Sequence, residues 1–447
     1  MSVNSNAIKP AHTAGYRRIV ISMLVLVYAF NFLDRQIIGI LAEPIKAEFG
    51  LSDKQMGLLL GPSFAILYAV LGVPIAWLAD RKSRAWIMTI ALTLWSGMTA
   101  LCGVAGNFTQ LFMARIGVGV GEAGGVAPAY SLISDFTPVH QRGRALAAYS
   151  FGIPIGSAIG IIFGGVISTI LDWRWAFIIV GLLGIAIAPI FRLIVREPKR
   201  GYYDPPTADV KPASIKQVGA TIFKKPSFWF MSFGAASSSM MGYGLFGWMA
   251  SFLVRSFGDE LPQFFSWLPN WMLPENPTPV LYAAYFYGTI ILLSGILGMW
   301  LGGSLSDKFA SKSKRAYVLV PTIAFAIIVP FYVLGLMSNN LLIVFFALMI
   351  PTGLGLVWLG PVIAAIQGIA PPNMRASAAA LFLLINNLIG IALGPFLIGV
   401  ISDALNAKYG DESLRYSILT GTIFYVIAAA LLYMASRYIS EDWEDTH

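Results

Sequence analysis

The stretch "AYVLVPTIAFAIIVPFYVLGLMSNNLLIVFFALMIPTGL" (residues 316–354) decides the fold class of this chain. It belongs to a longer segment, between Arg315 and Arg375, that contains no charged residue. A helix of about 20 apolar residues crosses the hydrocarbon layer of a bilayer. The segment therefore predicts two membrane spans, joined by the polar turn at residues 338–340.

The rest of the chain has the same character. Of its 447 residues, 57% are hydrophobic and only 12% are charged, with a mean hydropathy of +0.73. A soluble domain carries about 25% charged residues, so this composition cannot cover a water-exposed surface. We predict an all-α polytopic membrane protein with twelve spans: 18–42, 55–79, 85–106, 108–133, 145–170, 175–196, 227–255, 281–305, 316–337, 341–369, 376–402 and 416–437.

Basic residues predict how the chain is oriented, because cytoplasmic loops of membrane proteins are enriched in lysine and arginine. Fourteen of them fall at the ends of alternate spans, on the same side as the central linker: Lys9, Arg17, Arg18, Arg81, Lys82, Arg84, Arg142, Arg144, Lys308, Lys312, Lys314, Arg315, Arg375 and Arg437. We expect a multi-pass protein of the cell (inner or plasma) membrane with both termini cytoplasmic. Its predicted parts are an N-terminal tail (1–17), two six-helix bundles (18–196 and 227–437), a cytoplasmic linker (197–226) and a C-terminal tail (438–447).

The composition also excludes several function classes. The single cysteine, Cys102, excludes an intrachain disulfide and a thiolate metal cluster, and the three histidines show no ligand spacing. The net charge of +8 is explained by topology, so we expect no nucleic-acid partner. Glycine-framed serines lack a histidine or lysine partner at membrane depth, so we expect no enzyme activity and no cofactor.

The two halves of the chain resemble each other. "AWLADRKSR" after the second span corresponds to "GSLSDKFASKSKR" after the eighth, with Asp80 matching Asp307. "PVHQRGRALAA" after the fourth span corresponds to "PPNMRASAAAL" after the tenth, with Arg142 matching Arg375. A parallel repeat of six spans is an architecture of secondary transporters, whose substrate site lies between the halves near the membrane midplane. We therefore expect the two bundles to surround a central cavity.

These motifs resemble those of the major facilitator superfamily over nearly the whole chain. The aspartate–basic pairs look like the signature of that family, although Ala76 and Ser83 replace usual glycines in the first copy. "NFLDR", "GVGEAGG", "LADRKSR" and "GIPIGSAIG" in the first half are similar to the Spinster group of lipid transporters. The resemblance implies alternating access and proton-coupled transport of amphipathic lipids, such as lysophospholipids or sphingoid phosphates. It also implies a cytoplasmic gate, to which we assign Asp80, Arg81, Arg142, Asp307 and Arg375.

Four ionisable residues lie deep in the predicted spans: Asp34, Arg35, Arg115 and Glu122. Each costs at least about 2.5–3.5 kcal/mol at the centre of a membrane helix, so four together indicate a function. Arg115 and Glu122 are seven apart and share a helix face, whereas Asp34 and Arg35 are about 100° apart and point different ways. We predict that the two carboxylates carry protons and that the arginines attract an anionic headgroup. The alternative is a static buried ion pair that fixes helix register.

Three further residues join the predicted substrate and charge network. Asn31 stands in the "NFLDR" motif, while Trp358 and Asn386 belong to the second half, which has no deep charge. Trp358 follows "PTGLGLVW", where glycine and proline favour a bend. For Trp358 and Asn386, ordinary helix packing is the competing interpretation.

The stretch "RIGVGVGEAGG" (residues 115–125) contains a G-x-G-x-x-G pattern typical of dinucleotide-binding loops. That loop needs a preceding strand and free N–H groups at a helix start, but here the pattern lies inside an apolar span. Small residues let membrane helices approach closely, so we interpret these glycines as packing positions around Glu122.

The sequence thus favours a proton-coupled secondary transporter of amphipathic lipids, driven by the proton gradient. Its partners would be a small amphipathic substrate and the lipid bilayer, and we expect a monomer. One alternative is an organic-anion symporter or multidrug exporter of the same superfamily. Another is a membrane receptor or an intramembrane enzyme, for which the sequence shows neither a signalling domain nor a catalytic cluster.

Overall fold

The computed structural model describes residues 13–203, 215–310, 313–371 and 374–444, and these residues are almost entirely helical. We number the membrane-crossing segments as spans 1 to 12. In the first half they are Ala14–Ile40, Asp53–Ala79, Arg84–Gly103, Phe108–Phe136, Gln141–Ile170 and Trp173–Ile194. In the second half they are Pro226–Phe257, Pro279–Ala310, Ala316–Met337, Leu341–Gly368, Arg375–Tyr409 and, as two consecutive helices, Ser413–Gly421 with Ile423–Asp442.

Ten of the described helical segments are long enough and apolar enough to cross a membrane. The last of them, Ser377–Asp442, is 66 residues long and contains both span 11 and span 12. Span 7 is not among the ten, because serines and glycines dilute its apolar residues. It is nevertheless a continuous helix of 32 residues, long enough to cross a bilayer. The twelve predicted spans are therefore all present as helices.

Besides span 12, four of the described spans are interrupted, and span 5 breaks at Phe151. Span 2 breaks at Gly61, whose backbone angles are φ −117° and ψ −86°. Span 4 turns at residues 123–125, inside the glycine-rich stretch, and span 10 turns at residues 355–358. The break in span 10 confirms the bend predicted from "PTGLGLVW". Short helices lie in three connections: Ala42–Phe49, Ile215–Ile222 and Leu261–Phe264.

Glycines bring the helices of the first half into close contact. A Cβ at Gly160 of span 5 would lie 2.6 Å from the carbonyl oxygen of Leu33 in span 1. A Cβ at Gly181 of span 6 would lie 2.5 Å from the carbonyl oxygen of Ser96 in span 3. In lipid, where helix association depends on tight packing, such small residues set which helices become neighbours. Span 5 thus packs on span 1, and span 6 on span 3.

The described chain ends lie at one end of the molecule, which we call the terminal face. The two halves are joined firmly at the other end, which we call the opposite face. Arg255 of span 7 contacts Glu43 at 2.8 Å and Asp53 at 2.7 Å. Asp403 of span 11 accepts hydrogen bonds from the amides of Asp53 (2.9 Å) and Lys54 (2.8 Å). We call Glu43, Asp53, Arg255 and Asp403 the latch.

Toward the terminal face the second span is less closely covered than in its first part. Between Ala69 and Ala79, both of which are buried, residues 70–78 include no buried residue. Residues 71, 72, 75 and 76 of this stretch are half-buried and the other five are exposed. The charged contacts that join the halves thus lie at the end opposite to this loosely covered stretch.

Parts of the predicted linker and of the C-terminal tail are integral to the bundles. Glu197, the first predicted linker residue, accepts a hydrogen bond from Arg84 at 2.8 Å. The last helix continues to Asp442, well into the predicted tail 438–447. Trp443 stacks on Tyr317 with ring centroids 5.7 Å apart, and Lys225 pairs with Glu444 at 2.5 Å. Residues 1–12, 204–214 and 445–447 lie outside the described residues.

Candidate functional site

The centre of the site is an ion pair between spans 1 and 4. The Nε of Arg35 donates to Oε2 of Glu122 at 2.7 Å, and the two side chains are 9% and 0% exposed. Glu122 is the last residue of the helix Phe108–Glu122, directly before the break in span 4. A buried pair of this kind is strongly perturbed when one partner is removed, because the other charge remains in a low-dielectric environment. The site is therefore sensitive to the charge state of Glu122.

Asp34 points away from Arg35, as its adjacent position on the helix requires. Its carboxylate lies against span 3, where the Thr99 hydroxyl is 2.7 Å from Oδ1 and 2.6 Å from Oδ2. Both side chains are fully buried. The two predicted proton-carrying carboxylates thus have different partners, an arginine for Glu122 and a threonine hydroxyl for Asp34.

Arg115 lies beside this pair with its hydrogen-bonding capacity only partly used. Its guanidinium carbon is 5.3 Å from the ring centroid of Phe64, and the side chain is 1% exposed. Within the described part of the chain, its Nε and Nη1 atoms have no hydrogen-bond partner. A buried guanidinium with unsatisfied donors is suited to bind an anion that enters the site.

Two of the four charged residues line a small cavity between the two halves. Arg35 and Arg115 line it from the first half, together with Leu60 and Phe64. The second half contributes residues that are mainly apolar: Tyr243, Phe246, Gly247, Ile391 and Pro395. The cavity is therefore charged on one wall and mainly apolar on the other.

Aromatic rings enclose the guanidinium of Arg35. Its carbon lies 4.6 Å from the ring centroid of Tyr68, 4.8 Å from Phe64 and 5.1 Å from Phe32. Cation–π contacts of this kind stabilise a cation more strongly where water is excluded. They hold Arg35 in the cavity wall while one of its nitrogens, Nη2, has no hydrogen-bond partner among the described residues.

The glycine-rich stretch supports the site by close packing, as the sequence predicted. Gly119 contacts the backbone of Phe64 in span 2. A Cβ at Gly121 would lie 2.6 Å from the backbone nitrogen of Trp95 in span 3. A larger side chain at either position would push span 4 away and displace Glu122. The glycines thus place the carboxylate between three helices.

The structure does not bring all the predicted network residues together. Asn31 is brought to the site, because its side chain lies beside Glu122, and it also lines a small cavity with Tyr28, Trp95 and Tyr149. Trp358 packs against Phe382, with ring centroids 6.3 Å apart, in the core of the second half.

Asn386 is likewise held within the second half, because its Oδ1 accepts from Ser239 at 2.9 Å. For Trp358 and Asn386 the described contacts are those of helix packing, the competing interpretation.

Among the described side chains, the predicted gate residues Asp80, Arg81, Arg142 and Arg375 lie against different neighbours. Asp80 and Arg81 are exposed, and the Arg81 guanidinium lies 3.9 Å from the ring centroid of Trp77. Arg142 donates to the carbonyl of Ser134 at 3.0 Å, and Arg375 to that of Ala370 at 3.4 Å. The side chain of Asp307 lies outside the described part of the chain.

A different arginine of the same loop forms the main charge cluster at the terminal face. Arg84, 1% exposed, donates to Asp135 at 2.5 Å and to Glu197 at 2.8 Å. Ser83 and the amide of Ala85 complete the contacts of Glu197. Although burial alone would raise the pKa of Glu197, the amide of Ala85 and the Arg84 guanidinium hold it below its usual value. The cluster fixes the start of span 3 to spans 4 and 6.

Sequence reasoning missed three components of the site: Thr99, Phe64 and the Arg84 cluster. Thr99 and Phe64 are ordinary residues of apolar helices, and no local pattern distinguishes them from packing residues. Arg84 was grouped with the charges that set topology, although Glu197 in "REP" offered an acidic partner. Their roles depend on contacts between residues 29 to 114 positions apart.

Comparison with known proteins adds an independent line of evidence. Residues 24–395 match the family described as the Major Facilitator Superfamily. The chain is 31% identical to an MFS-type efflux pump of Mycolicibacterium smegmatis, over 92% of each protein. It is 29% identical to human Protein spinster homolog 1, over 96% of this chain and 82% of that protein.

Among solved structures, the fold matches a bacterial homolog of the human lysosomal transporter Spinster in an inward-facing and unoccupied conformation. The TM-score is 0.84 at 32% identity, covering 98% of this chain and all of the other. The same homolog in an inward-facing and occupied conformation gives a TM-score of 0.79 at 31% identity.

Proposed function

Because this chain belongs to the major facilitator superfamily, within its Spinster group, we propose that it is a proton-coupled transporter of anionic amphipathic lipids. Substrates of this kind are lysophospholipids and sphingoid phosphates. The observation that carries the proposal is the buried Arg35–Glu122 pair in a cavity wall that also contains the unsatisfied Arg115. We place the protein as a monomer in the cell membrane, with both termini cytoplasmic.

Alternating access follows from where the halves are joined. With the termini in the cytoplasm, the latch closes the external side, and the loosely covered stretch of span 2 at residues 70–78 lies on the cytoplasmic side, where the cavity would open. The similarity to inward-facing solved structures supports this assignment. Transport then requires the latch to open and the terminal face to close, with the gate residues Asp80, Arg81, Arg142, Asp307 and Arg375 brought together.

Substrate binding and proton binding meet at Arg35. An anionic headgroup in the cavity would compete with Glu122 for the Arg35 guanidinium, and it would also satisfy the free donors of Arg115. Glu122 without its arginine would be an uncompensated buried charge, which favours uptake of a proton. Headgroup binding and protonation of Glu122 thereby become linked, while the apolar wall of Phe246 and Ile391 accommodates the acyl chain.

The first prediction concerns proton coupling. In proteoliposomes with a pH gradient, we expect Glu122→Gln to reduce gradient-driven lysolipid transport by at least about tenfold, because glutamine cannot exchange a proton and loses a charge-assisted hydrogen bond. Asp34→Asn should reduce it similarly. Glu260→Gln, which changes an exposed acid outside the spans, is the matched control. Full gradient dependence in both variants would contradict the coupling.

The second prediction concerns headgroup charge. We expect Arg115→Gln to weaken binding of an anionic lysolipid roughly tenfold or more, since a hydrogen bond to a charged group contributes about 1.5–3 kcal/mol. Binding of a lysolipid with a neutral headgroup should change little. Arg192→Gln, an arginine stacked on Trp86, serves as the control. An equal loss of affinity for anionic and neutral lysolipids would indicate a structural defect and would contradict headgroup recognition by Arg115.

The similarity to an efflux pump supports a second candidate, export of lipophilic drugs on the same fold. An exporter of cations would be impaired by two arginines in the cavity wall, which is why we favour anionic lipids. Transport of a panel of lysolipids, sugar acids and cationic dyes, with and without a pH gradient, separates the candidates. Transport of cationic dyes without lysolipid transport would establish the alternative.

A further inference from the structure

The contact between Thr99 and Asp34 carries an inference that rests on the proposed function. We propose that Thr99 is the positioning residue of the proton site at Asp34, holding the carboxyl group by one hydrogen bond in both of its protonation states. The hydroxyl lies 2.7 and 2.6 Å from the two carboxylate oxygens. Asp34 is 1% exposed and Thr99 is 0% exposed.

A hydroxyl suits this position because it is both a donor and an acceptor. When Asp34 is ionised, the O–H of Thr99 donates to the carboxylate. When Asp34 binds a proton, its new O–H donates to Oγ1 of Thr99. The buried carboxyl group therefore keeps a hydrogen-bond partner in both states, and the loss of that partner would cost stability. A valine side chain could form a hydrogen bond with neither protonation state of Asp34.

The two residues stand on helices that are anchored differently. Span 3 is fixed to span 6, where a Cβ at Gly103 would lie 2.5 Å from the carbonyl oxygen of Arg174. Span 1 also contacts the second half, where a Cβ at Gly39 would lie 3.0 Å from the carbonyl oxygen of Phe246. A movement of the second half can therefore shift span 1 against span 3. Such a shift would change the Asp34–Thr99 distance as access alternates.

Other charged and titratable groups also face Asp34. Arg115 and Glu122 of span 4, Cys102 of span 3 and Arg35 of its own helix lie within electrostatic range. The substitution Thr99→Val leaves all of these in place and preserves the side-chain shape. Its effect therefore isolates the hydrogen bond.

The test is the pH profile of gradient-driven lysolipid transport. We expect Thr99→Val to move the midpoint of this profile to more alkaline pH by about one unit. The ionised carboxylate of Asp34 loses a charge-assisted hydrogen bond, whereas the protonated carboxyl group loses a weaker one. The KM for substrate should stay the same. Thr99→Ser should keep the wild-type midpoint, and so should Thr89→Val, which alters a buried threonine of span 3 bonded to the Ala85 carbonyl. Coincident profiles for Thr99→Val and wild type would overturn the proposal.

A second measurement does not require transport. The infrared carboxyl band of Asp34, identified by its loss in Asp34→Asn, should titrate at higher pH in purified Thr99→Val protein than in wild type. Wild-type transport that is independent of pH would refute the proposed coupling. The role of Thr99 is tested independently of transport. An Asp34 band that titrates at the same pH in wild type and in Thr99→Val would overturn the role proposed for Thr99.

Discussion

Replacing Arg255 by alanine should open the face that the latch closes. Arg255 reaches Glu43 and Asp53 through four hydrogen bonds of 2.7–3.0 Å, and its side chain is only 13% exposed. Removing one partner of a largely buried ion pair typically costs 3–5 kcal/mol. This loss of free energy destabilises the conformation in which the opposite face is closed, because the contact joins helices of different halves. We therefore expect the ratio of closed to open forms to fall by roughly a hundredfold.

Spin labels report this change directly. Cysteines introduced at Val104 and Ala407, both exposed near the opposite face, place one label on each half in a Cys102→Ala background. We expect Arg255→Ala to increase the population at long distances between the labels. Arg174→Ala is the matched control, because Arg174 lies at the same face and pairs with Glu48 at 2.6 Å inside the first half. A distance distribution for Arg255→Ala equal to that of the control would refute the role of the latch.

Replacing Arg84 by methionine should lower the stability of the folded protein markedly. Methionine fills a similar volume, but Asp135 and Glu197 would then face each other without a cation. Because Glu197 is 29% exposed, we expect the lower end of the range for broken buried pairs, about 3 kcal/mol. For a protein of this size the apparent Tm should fall by roughly 5 °C or more.

Thermal unfolding of the purified protein in detergent, followed by tryptophan fluorescence, measures this loss. Arg81→Met is the control, because Arg81 is exposed in the same loop and should change stability by less than about 1 kcal/mol. The double variant Arg84→Met with Asp135→Asn should recover part of the loss, since it removes one of the two uncompensated carboxylates. Equal Tm values for Arg84→Met and Arg81→Met would show that the cluster does not stabilise the fold.

The sequence predicted most of the fold because membrane spans are local features. Hydropathy over about 20 residues specifies a span wherever it occurs, and each of the twelve predicted ranges overlaps an observed helix. The breaks at Gly61 and at residues 123–125 were not predicted. They depend on which neighbour a helix packs against, as Gly119 on Phe64 illustrates.

The candidate site was predicted only in part. The cost of charge in lipid singled out Asp34, Arg35, Arg115 and Glu122. In the first half, Arg35 is 9% exposed and the other three are buried. Their pairing could not be predicted, because Arg35 and Glu122 are 87 positions apart. The latch was not predicted from the sequence, for a similar reason. Arg255 and Asp53 are charges at span ends, a position typical of ordinary topology signals, and they are 202 positions apart.

The amino-acid sequence alone indicates a membrane transporter of two repeated halves, with charged residues deep in the spans of the first half only. These properties follow from composition, periodicity and local motifs, because each residue has its own free energy of transfer into lipid. The pairing of Arg35 with Glu122, the pairing of Asp34 with Thr99 and the closure of one face by Arg255 became visible only in the three-dimensional structure. Those contacts depend on helix rotation and close approach, which glycine contacts between distant segments fix and no single segment encodes.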